Sequence, residues 1–155
     1  MSVTIGPVSA ATRELEELLA ELDEILAAAY APEQRHALSI NRLFQPDILF
    51  YVARLDGEAM GCGGAALFED YAEVKRMYAR ESARGRGIGK ALLARLEAEA
   101  RNAGKSLLRL ETGIHQTAAI GLYERWGFRR RGSFGHYAEL PPNAIATSVF
   151  YEKPL

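Results

Sequence analysis

The stretch Arg84-Gly85-Arg86-Gly87-Ile88-Gly89-Lys90-Ala91 lies between a strand-like run and an amphipathic helix. Its three glycines let the backbone turn tightly and bring bare N–H groups close to a ligand. The first N–H groups of the following helix have no intrahelical partner and lie at the positive end of its dipole. Two arginines and a lysine add positive charge. The stretch therefore predicts a binding loop for a pyrophosphate.

Spacing excludes two common phosphate-binding motifs. A Walker loop, G-x-x-x-x-G-K-[ST], requires a hydroxyl where Ala91 stands and a glycine where Arg84 stands. A dinucleotide fingerprint, G-x-G-x-x-G, that begins at Gly85 has Lys90 in place of its last glycine. An ATP- or NAD-binding domain is therefore disfavoured.

The pattern that fits is Arg84-x-x-Gly87-x-Gly89, which resembles the coenzyme A pyrophosphate loop of the GNAT superfamily of N-acetyltransferases. Two flanking segments resemble further motifs of that family, in the same order. They are Glu73–Ala79, similar to the family's fourth strand, and Ala119–Phe128, similar to its A-I-x-L-Y-x-x-x-G-F helix and strand. The resemblance covers roughly residues 45 to 155, and shorter stretches are similar to small bacterial members of unassigned substrate.

The order of the predicted elements indicates a mixed sheet with helices on its faces. Apolar residues at helical spacing predict one helix up to Ala29, and a second is expected to begin at Pro32 and end at Pro46. Asp56-Gly57 predicts a hairpin turn. The predicted strands are 3–8, 48–55, 58–68, 71–79, 106–112, 128–132 and 147–153, and the other predicted helices are 87–103 and 117–126. The resemblance implies the GNAT acyl-CoA N-acyltransferase fold, an α/β (mixed α+β) architecture with a mostly antiparallel sheet of six to seven strands, as a single domain over residues 1–155.

Composition limits the classes of partner. The net charge of −1 argues against a general attraction to nucleic acid or to an anionic membrane. The lone cysteine, Cys62, cannot form an internal disulfide, which fits a reducing compartment. No apolar run reaches the ~18 residues that a membrane span requires, and the histidines lack the paired spacing of a metal site. We therefore expect a cytoplasmic protein with no metal and with neither a nucleic-acid nor a membrane partner.

The resemblance implies acetyl-CoA as co-substrate, held by the loop and by the edge of the strand before it. Gln116 stands where many relatives have an asparagine that binds the pantetheine, and its side chain is longer. The alternative is that Gln116 is only a polar residue of the first helical turn. The residues expected to bind the coenzyme are Met77, Tyr78, Ala79, Arg84, Gly85, Arg86, Gly87, Ile88, Gly89, Lys90, Gln116 and Tyr123.

Two residues are implied to be catalytic. Tyr123 holds the position of the family's tyrosine that returns a proton to the coenzyme sulfur, although it also shares an apolar helix face. Glu73 stands eleven residues before Arg84, where some relatives carry a general base; the alternative is a strand glutamate paired with a neighbouring lysine or arginine. An alkylamine has a pKa of about 10 and must lose a proton before it attacks, so a carboxylate base is chemically reasonable.

The acceptor pocket is the least specified part of the sequence. The resemblance places it between the first helices and the last loop, and the residues expected there are His36, Phe134, His136 and Tyr137. A Cys62 nucleophile with a histidine base is disfavoured, because a lone cysteine among glycines is more typical of a small buried residue.

The first hypothesis is an acetyl-CoA-dependent N-acetyltransferase in which a primary amine of a small molecule or protein attacks the thioester directly, without a covalent enzyme intermediate. The alternative is a non-catalytic acyl-CoA-binding module that regulates a partner. The sequence leaves the acceptor amine and the length of the acyl group open, and the resemblance favours a homodimer.

Overall fold

The computed structural model describes residues 2–155, which form one seven-stranded sheet and three α-helices. The strands are β1 (Val3–Pro7), β2 (Ile48–Leu55), β3 (Glu58–Leu67), β4 (Tyr71–Ala79), β5 (Leu107–Gly113), β6 (Arg129–Arg131) and β7 (Ser148–Pro154). The helices are α1 (Arg13–Ala29), α2 (Ile88–Asn102) and α3 (Thr117–Trp126). This is the predicted mixed, mostly antiparallel sheet, with every predicted strand in place to within a few residues.

The sheet order is β1-β2-β3-β4-β5-β7-β6, and only β4 and β5 run parallel to each other. Asp56 and Gly57 adopt positive φ angles of 51° and 88° in the predicted hairpin turn between β2 and β3. Both angles are typical of the turns that match the right-handed twist of a hairpin. The parallel pair needs the longer crossover, and α2 provides it.

Helices cover both faces of the sheet because side chains alternate along the strands. Phe50 and Val52 of β2 pack in a cluster with α1, whereas their neighbours Tyr51 and Ala53 pack in the cluster that holds α2 and α3. Thr12 begins α1 as its N-cap, with its hydroxyl accepting from the Leu15 amide. Within residues 2–155, no helix has both the length and the apolar character that a membrane crossing requires.

The predicted second helix is wrong. Residues between Pro32 and Pro46 form two short 3-10 turns, Pro32–Gln34 and Ile40–Phe44, joined by an extended segment. Only Leu43 of these turns is buried, so a longer helix here would gain too little apolar contact to offset the ordering of its backbone. The extended segment places Arg35 and His36 over the sheet, and this position matters for the site below.

Candidate active site

A wide cleft opens where β4 and β5 separate. The two strands pair only from Tyr71–Val74 against Leu107–Leu110, and beyond that point each continues without the other. The cleft has a volume of about 820 Å³ and is lined by the end of β4, the loop before α2 and the start of α3. We call it the wide cleft. The free edge of β4 beyond Val74 therefore faces open space instead of a neighbouring strand.

The glycine loop has the backbone geometry that its sequence predicts. Gly85 and Gly87 have φ angles of +80° and +85°, a region that only glycine adopts without strain. Gly87 is the N-cap of α2 and offers no side-chain acceptor, so the first amides of the helix point outward unpaired. Gly89 lies so close to α3 that an added Cβ would sit 2.6 Å from Leu122. The loop thus combines a helix N-terminus with close helix packing, an arrangement suited to a phosphate group.

Of the twelve residues expected to bind the coenzyme, all but Arg86 line the wide cleft. His115 and Arg125 also line it, and neither was predicted. Gln116 Oε1 accepts a hydrogen bond of 3.1 Å from the Tyr30 hydroxyl, which itself accepts from the His115 amide at 3.0 Å. The amide nitrogen of Gln116 is therefore directed by Tyr30 and can still donate to a ligand.

A smaller cavity of about 120 Å³ adjoins the wide cleft, and we call it the inner pocket. The end of α1, the segment around His36, the middle of β4 and the end of β5 surround it. Leu22, Met77, Gln116, Ala119 and Tyr123 line both cavities, so the two spaces meet there. A group held at that junction can be reached from both sides.

Tyr123 lies at this junction. Its side chain is 5% exposed and packs edge-on against Phe128 with 5.7 Å between ring centroids. Burial raises the pKa of the Tyr123 phenol, and the negative charge of Glu111 adds to the rise. Within residues 2–155, no group hydrogen-bonds to its hydroxyl. The phenol is therefore protonated at neutral pH and has an unused donor where the cavities join.

Glu111 is the carboxyl group that lines the inner pocket. Its Oε2 accepts a 2.7 Å hydrogen bond from Ser148 Oγ. Burial raises the pKa of Glu111, while the Ser148 hydroxyl and the positive charges of His36 and Lys75 oppose the rise. A carboxyl whose pKa is raised toward neutrality is better matched to accepting a proton from an amine than an ordinary exposed one.

Glu73 lies behind the inner pocket and does not line it. The side chain is 3% exposed, and its Oε2 accepts hydrogen bonds from the Tyr137 hydroxyl at 2.6 Å and from Lys75 Nζ at 3.3 Å. Lys75 also donates to the His36 carbonyl and does line the pocket. Glu73 is thus placed to neutralise and orient Lys75, with no open path between its carboxylate and the cavities.

The four residues expected around the acceptor lie in three different settings. His36 lines the inner pocket, where its Nε2 lies 2.7 Å from the Ala144 carbonyl. Phe134 and Tyr137 are buried in an aromatic cluster with Phe150 and line neither cavity. His136 is exposed and stacks on Tyr137 from outside, with 4.1 Å between ring centroids. Tyr137 therefore acts on the site indirectly, through Glu73 and Lys75 and through its edge-on ring contact with His36 at 5.5 Å between centroids.

A bulge in β4 shapes the wall of the inner pocket. Gly64 pairs with Lys75 but Cys62 pairs with Tyr78, so β4 carries one extra residue there. Arg76 lies in the bulge with φ +57°, a strained angle for a residue with a side chain. Its side chain is 4% exposed and lines the pocket together with that of the preceding Lys75.

Cys62 is a packing residue, as expected. It is 0% exposed, and burial raises its pKa to about 12. Such a thiol is not a nucleophile at neutral pH. Among residues 2–155, no three His, Cys, Asp or Glu side chains are grouped closely enough to hold a metal ion.

Sequence reasoning missed Glu111, Arg35 and Arg76. A polar run at the end of β5, Glu111-Thr112-Gly113, was the available signal for the first, because the ends of strands next to a helix often carry functional groups. No comparable signal marked the two arginines. One depends on the extended segment and the other on the bulge.

Comparisons with known proteins agree with this geometry. A profile of the Acetyltransferase (GNAT) family matches residues 14–128. The IAA acetyltransferase of Azospirillum brasilense is 45% identical to this chain over 156 residues, which cover 99% of each protein. A crystal structure named as an acyl-CoA N-acyltransferase, from Klebsiella pneumoniae, is 38% identical and has a TM-score of 0.78, covering 99% of this chain and 97% of that one.

A GNAT family acetyltransferase from Elizabethkingia anophelis, solved with acetyl-CoA bound, has a TM-score of 0.70 at 23% identity. It covers 99% of this chain and 98% of its own, and at that identity it supports the fold alone. The family profile and the full-length relative carry the assignment further. The chain therefore belongs to the GNAT family of acetyltransferases and is an N-acetyltransferase.

Proposed function

We propose that this enzyme transfers the acetyl group of acetyl-CoA to a primary amine by direct attack, without a covalent enzyme intermediate. The observation that carries the proposal is the wide cleft, which joins the glycine loop, the free edge of β4 and the Tyr123 hydroxyl in one continuous space. Membership of the acetyltransferase family supports acetyl-CoA as the donor. When bound, acetyl-CoA supplies a thioester carbonyl and a thiolate leaving group.

The chain's own groups would hold the coenzyme in three ways. The amides at the start of α2 would receive the pyrophosphate, with Arg84 and Lys90 beside it. The edge of β4 that faces the cleft at Met77 to Ala79 has no neighbouring strand and would pair with the pantetheine arm. One amide of that edge would face the thioester oxygen and stabilise its negative charge as the amine attacks.

Glu111 is the proposed acceptor of the amine proton, because it lines the inner pocket and its pKa is raised by burial. As the amine nitrogen bonds to the carbonyl carbon, the carbon–sulfur bond breaks and the sulfur takes a proton from Tyr123. A protonated amine has two surplus protons: one leaves to solvent through Glu111, and the other restores the hydroxyl of Tyr123. The products are therefore an amide, a free thiol and one proton, and the enzyme is regenerated. The sequence-based candidate, Glu73, would act through Lys75 rather than on the amine.

Two matched variants test which of the two carboxyl groups, Glu111 or Glu73, accepts the proton of the amine. Glu111→Gln should lower kcat/KM by roughly 100-fold or more at neutral pH and by less at alkaline pH, where free amine is plentiful. Glu73→Gln should retain the wild-type dependence on pH. The measurement is thiol release from acetyl-CoA with an amine panel, at pH values from neutral to alkaline. A rate loss in Glu73→Gln that is large at neutral pH and small at alkaline pH, with Glu111→Gln like the wild type, would return the base role to Glu73.

Isothermal titration with acetyl-CoA, beside ATP with magnesium and NAD, tests the donor. Micromolar binding of acetyl-CoA alone is the expected result. Binding without thiol release for any amine would favour the regulatory alternative, and no binding would refute both.

A further inference from the structure

The inner pocket contains guanidinium groups that the chain leaves without hydrogen-bond acceptors. Within residues 2–155, Arg35 Nε, Arg76 Nε and Arg76 Nη1 are buried and have no such acceptor. Asp23 Oδ1 lies 2.8 Å from Arg76 Nη1, but that carboxylate is 59% exposed and the contact is not aligned as a hydrogen bond. Buried donors of a charged group are rarely left unpaired, since the desolvation is unfavourable. Both guanidinium groups line the inner pocket, so an anionic group of a bound acceptor is a partner that fits them.

The other charges of the pocket are already matched. The Lys75 ammonium is held by Glu73 and by the Tyr137 hydroxyl, and the His36 ring is engaged by the Ala144 carbonyl. Glu111 is hydrogen-bonded by Ser148 of the neighbouring strand β7. The two arginines are thus the cationic groups of the lining with donors to spare.

We infer that the amine acceptor also carries a carboxylate, which Arg35 and Arg76 bind while the amine faces Glu111 and Tyr123. This inference rests on the proposed function. A guanidinium presents a planar fork of donors that matches a carboxylate in two parallel hydrogen bonds. The lining then offers one group for each end of a zwitterion.

Size narrows the acceptor further. The inner pocket has a volume of about 120 Å³. Ligand sites for drug-sized molecules are typically ~300 Å³ or larger. This volume favours a small amino acid, whereas a polyamine would bring positive charge beside two arginines that have donors to spare.

The test compares acceptors that share an amine and differ in the carboxylate. With saturating acetyl-CoA, kcat/KM for thiol release is measured for glycine, β-alanine, serine and aspartate, for the corresponding carboxamides, and for spermidine. The carboxamide has the more easily deprotonated α-amine, so any intrinsic bias opposes the expected result. We expect at least one acid to exceed its carboxamide by about 30-fold or more, the range for removing one partner of a buried charge pair.

Three variants test whether Arg35 and Arg76 cause the preference for acids, and a fourth is the control. Arg35→Gln and Arg76→Gln should bring the acid-to-carboxamide ratio close to one, while acetyl-CoA binding by titration stays within about threefold of wild type. Arg76→Lys keeps the charge without the fork and should lower the ratio as well, so it serves if Arg76→Gln does not fold. Arg42→Gln, which breaks an ion pair with Asp47 away from both cavities, should leave the ratio unchanged.

The inference is overturned if carboxamides or spermidine are used as well as the acids, if no acid is acetylated, or if the ratio survives in both arginine variants. In those cases acetyl-CoA binding and amine-dependent thiol release would still support the proposed function. Absence of acetyl-CoA binding would instead remove the proposed function itself.

Discussion

Tyr123→Phe removes one oxygen atom from the junction of the wide cleft and the inner pocket. The hydroxyl has no hydrogen-bond partner within residues 2–155, and the ring keeps its edge-on contact with Phe128. Loss of the hydroxyl should therefore change the free energy of unfolding by no more than ~0.5 kcal/mol, because no protein hydrogen bond is broken. Acetyl-CoA affinity should stay within about threefold of wild type.

Turnover should respond very differently. A positioned proton donor contributes about 100- to 10,000-fold to the rate, which corresponds to roughly 2.7 to 5.4 kcal/mol of barrier at 1.36 kcal/mol per tenfold. Initial rates of thiol release under saturating acetyl-CoA and acceptor give kcat directly. Chemical denaturation and titration of the same preparation give stability and affinity.

Tyr151→Phe is the matched control. Tyr151 donates to Glu124 at 2.9 Å and lines neither cavity, so its variant should lose about 1 kcal/mol of stability and keep its turnover. The two variants thus predict opposite patterns of stability and rate. A kcat for Tyr123→Phe within about threefold of wild type would refute the proton-donor role.

Three further substitutions follow from the geometry. Gly87→Ala should lose about 1–2 kcal/mol of stability because of its φ of +85°, and it should bind acetyl-CoA more weakly. Gly57→Ala in the hairpin turn is the control, because its φ is +88° and an added Cβ there also meets no other atom. It should lose similar stability but keep its affinity for acetyl-CoA in the same titration. Gly113→Ala would place a Cβ 2.0 Å from the Tyr30 hydroxyl, so denaturant melts should show a loss of about 1–3 kcal/mol, and a loss below ~0.5 kcal/mol would contradict the contact. Burial raises the folded-state pKa of Glu111 above its ordinary 4.5, so the folded protein binds the proton more tightly and stability falls as pH rises from about 4.5 through the folded pKa. Glu111→Gln removes this pH-dependent loss, so the stability of the variant relative to wild type should increase as pH rises above about 4.5. A stability difference between the two proteins that does not change with pH would show that the pKa of Glu111 is not raised.

The inferred carboxylate would narrow the acceptor from any primary amine to an amino acid. If Arg35 and Arg76 select it, the chemistry at the thioester is separate from the selection of the acceptor. The wide cleft and Tyr123 would then act alike on any amine that reaches the junction. Acceptor choice would depend on the wall of the inner pocket, which Arg35 and Arg76 line while lining no part of the wide cleft.

The sequence alone determined the elements whose conformation depends on near neighbours. The glycine loop, the Asp56-Gly57 hairpin and the three α-helices were predicted because turn geometry, helix caps and apolar spacing act over a few residues. The same local logic, together with the family resemblance, placed Tyr123 and most of the loop residues at the wide cleft. For these parts, short-range sterics and hydrogen bonding carry the information.

Tertiary structure decided the inner pocket. Glu73 lost its access because Tyr137, distant in the chain, packs over its carboxylate, and Glu111 gained access because β5 separates from β4. Arg35 reaches the site through a segment whose pattern predicted a helix, and Arg76 reaches it through a bulge. Each outcome depends on which distant segments pack together and on which face of the sheet, and a shift of one residue in register changes that face.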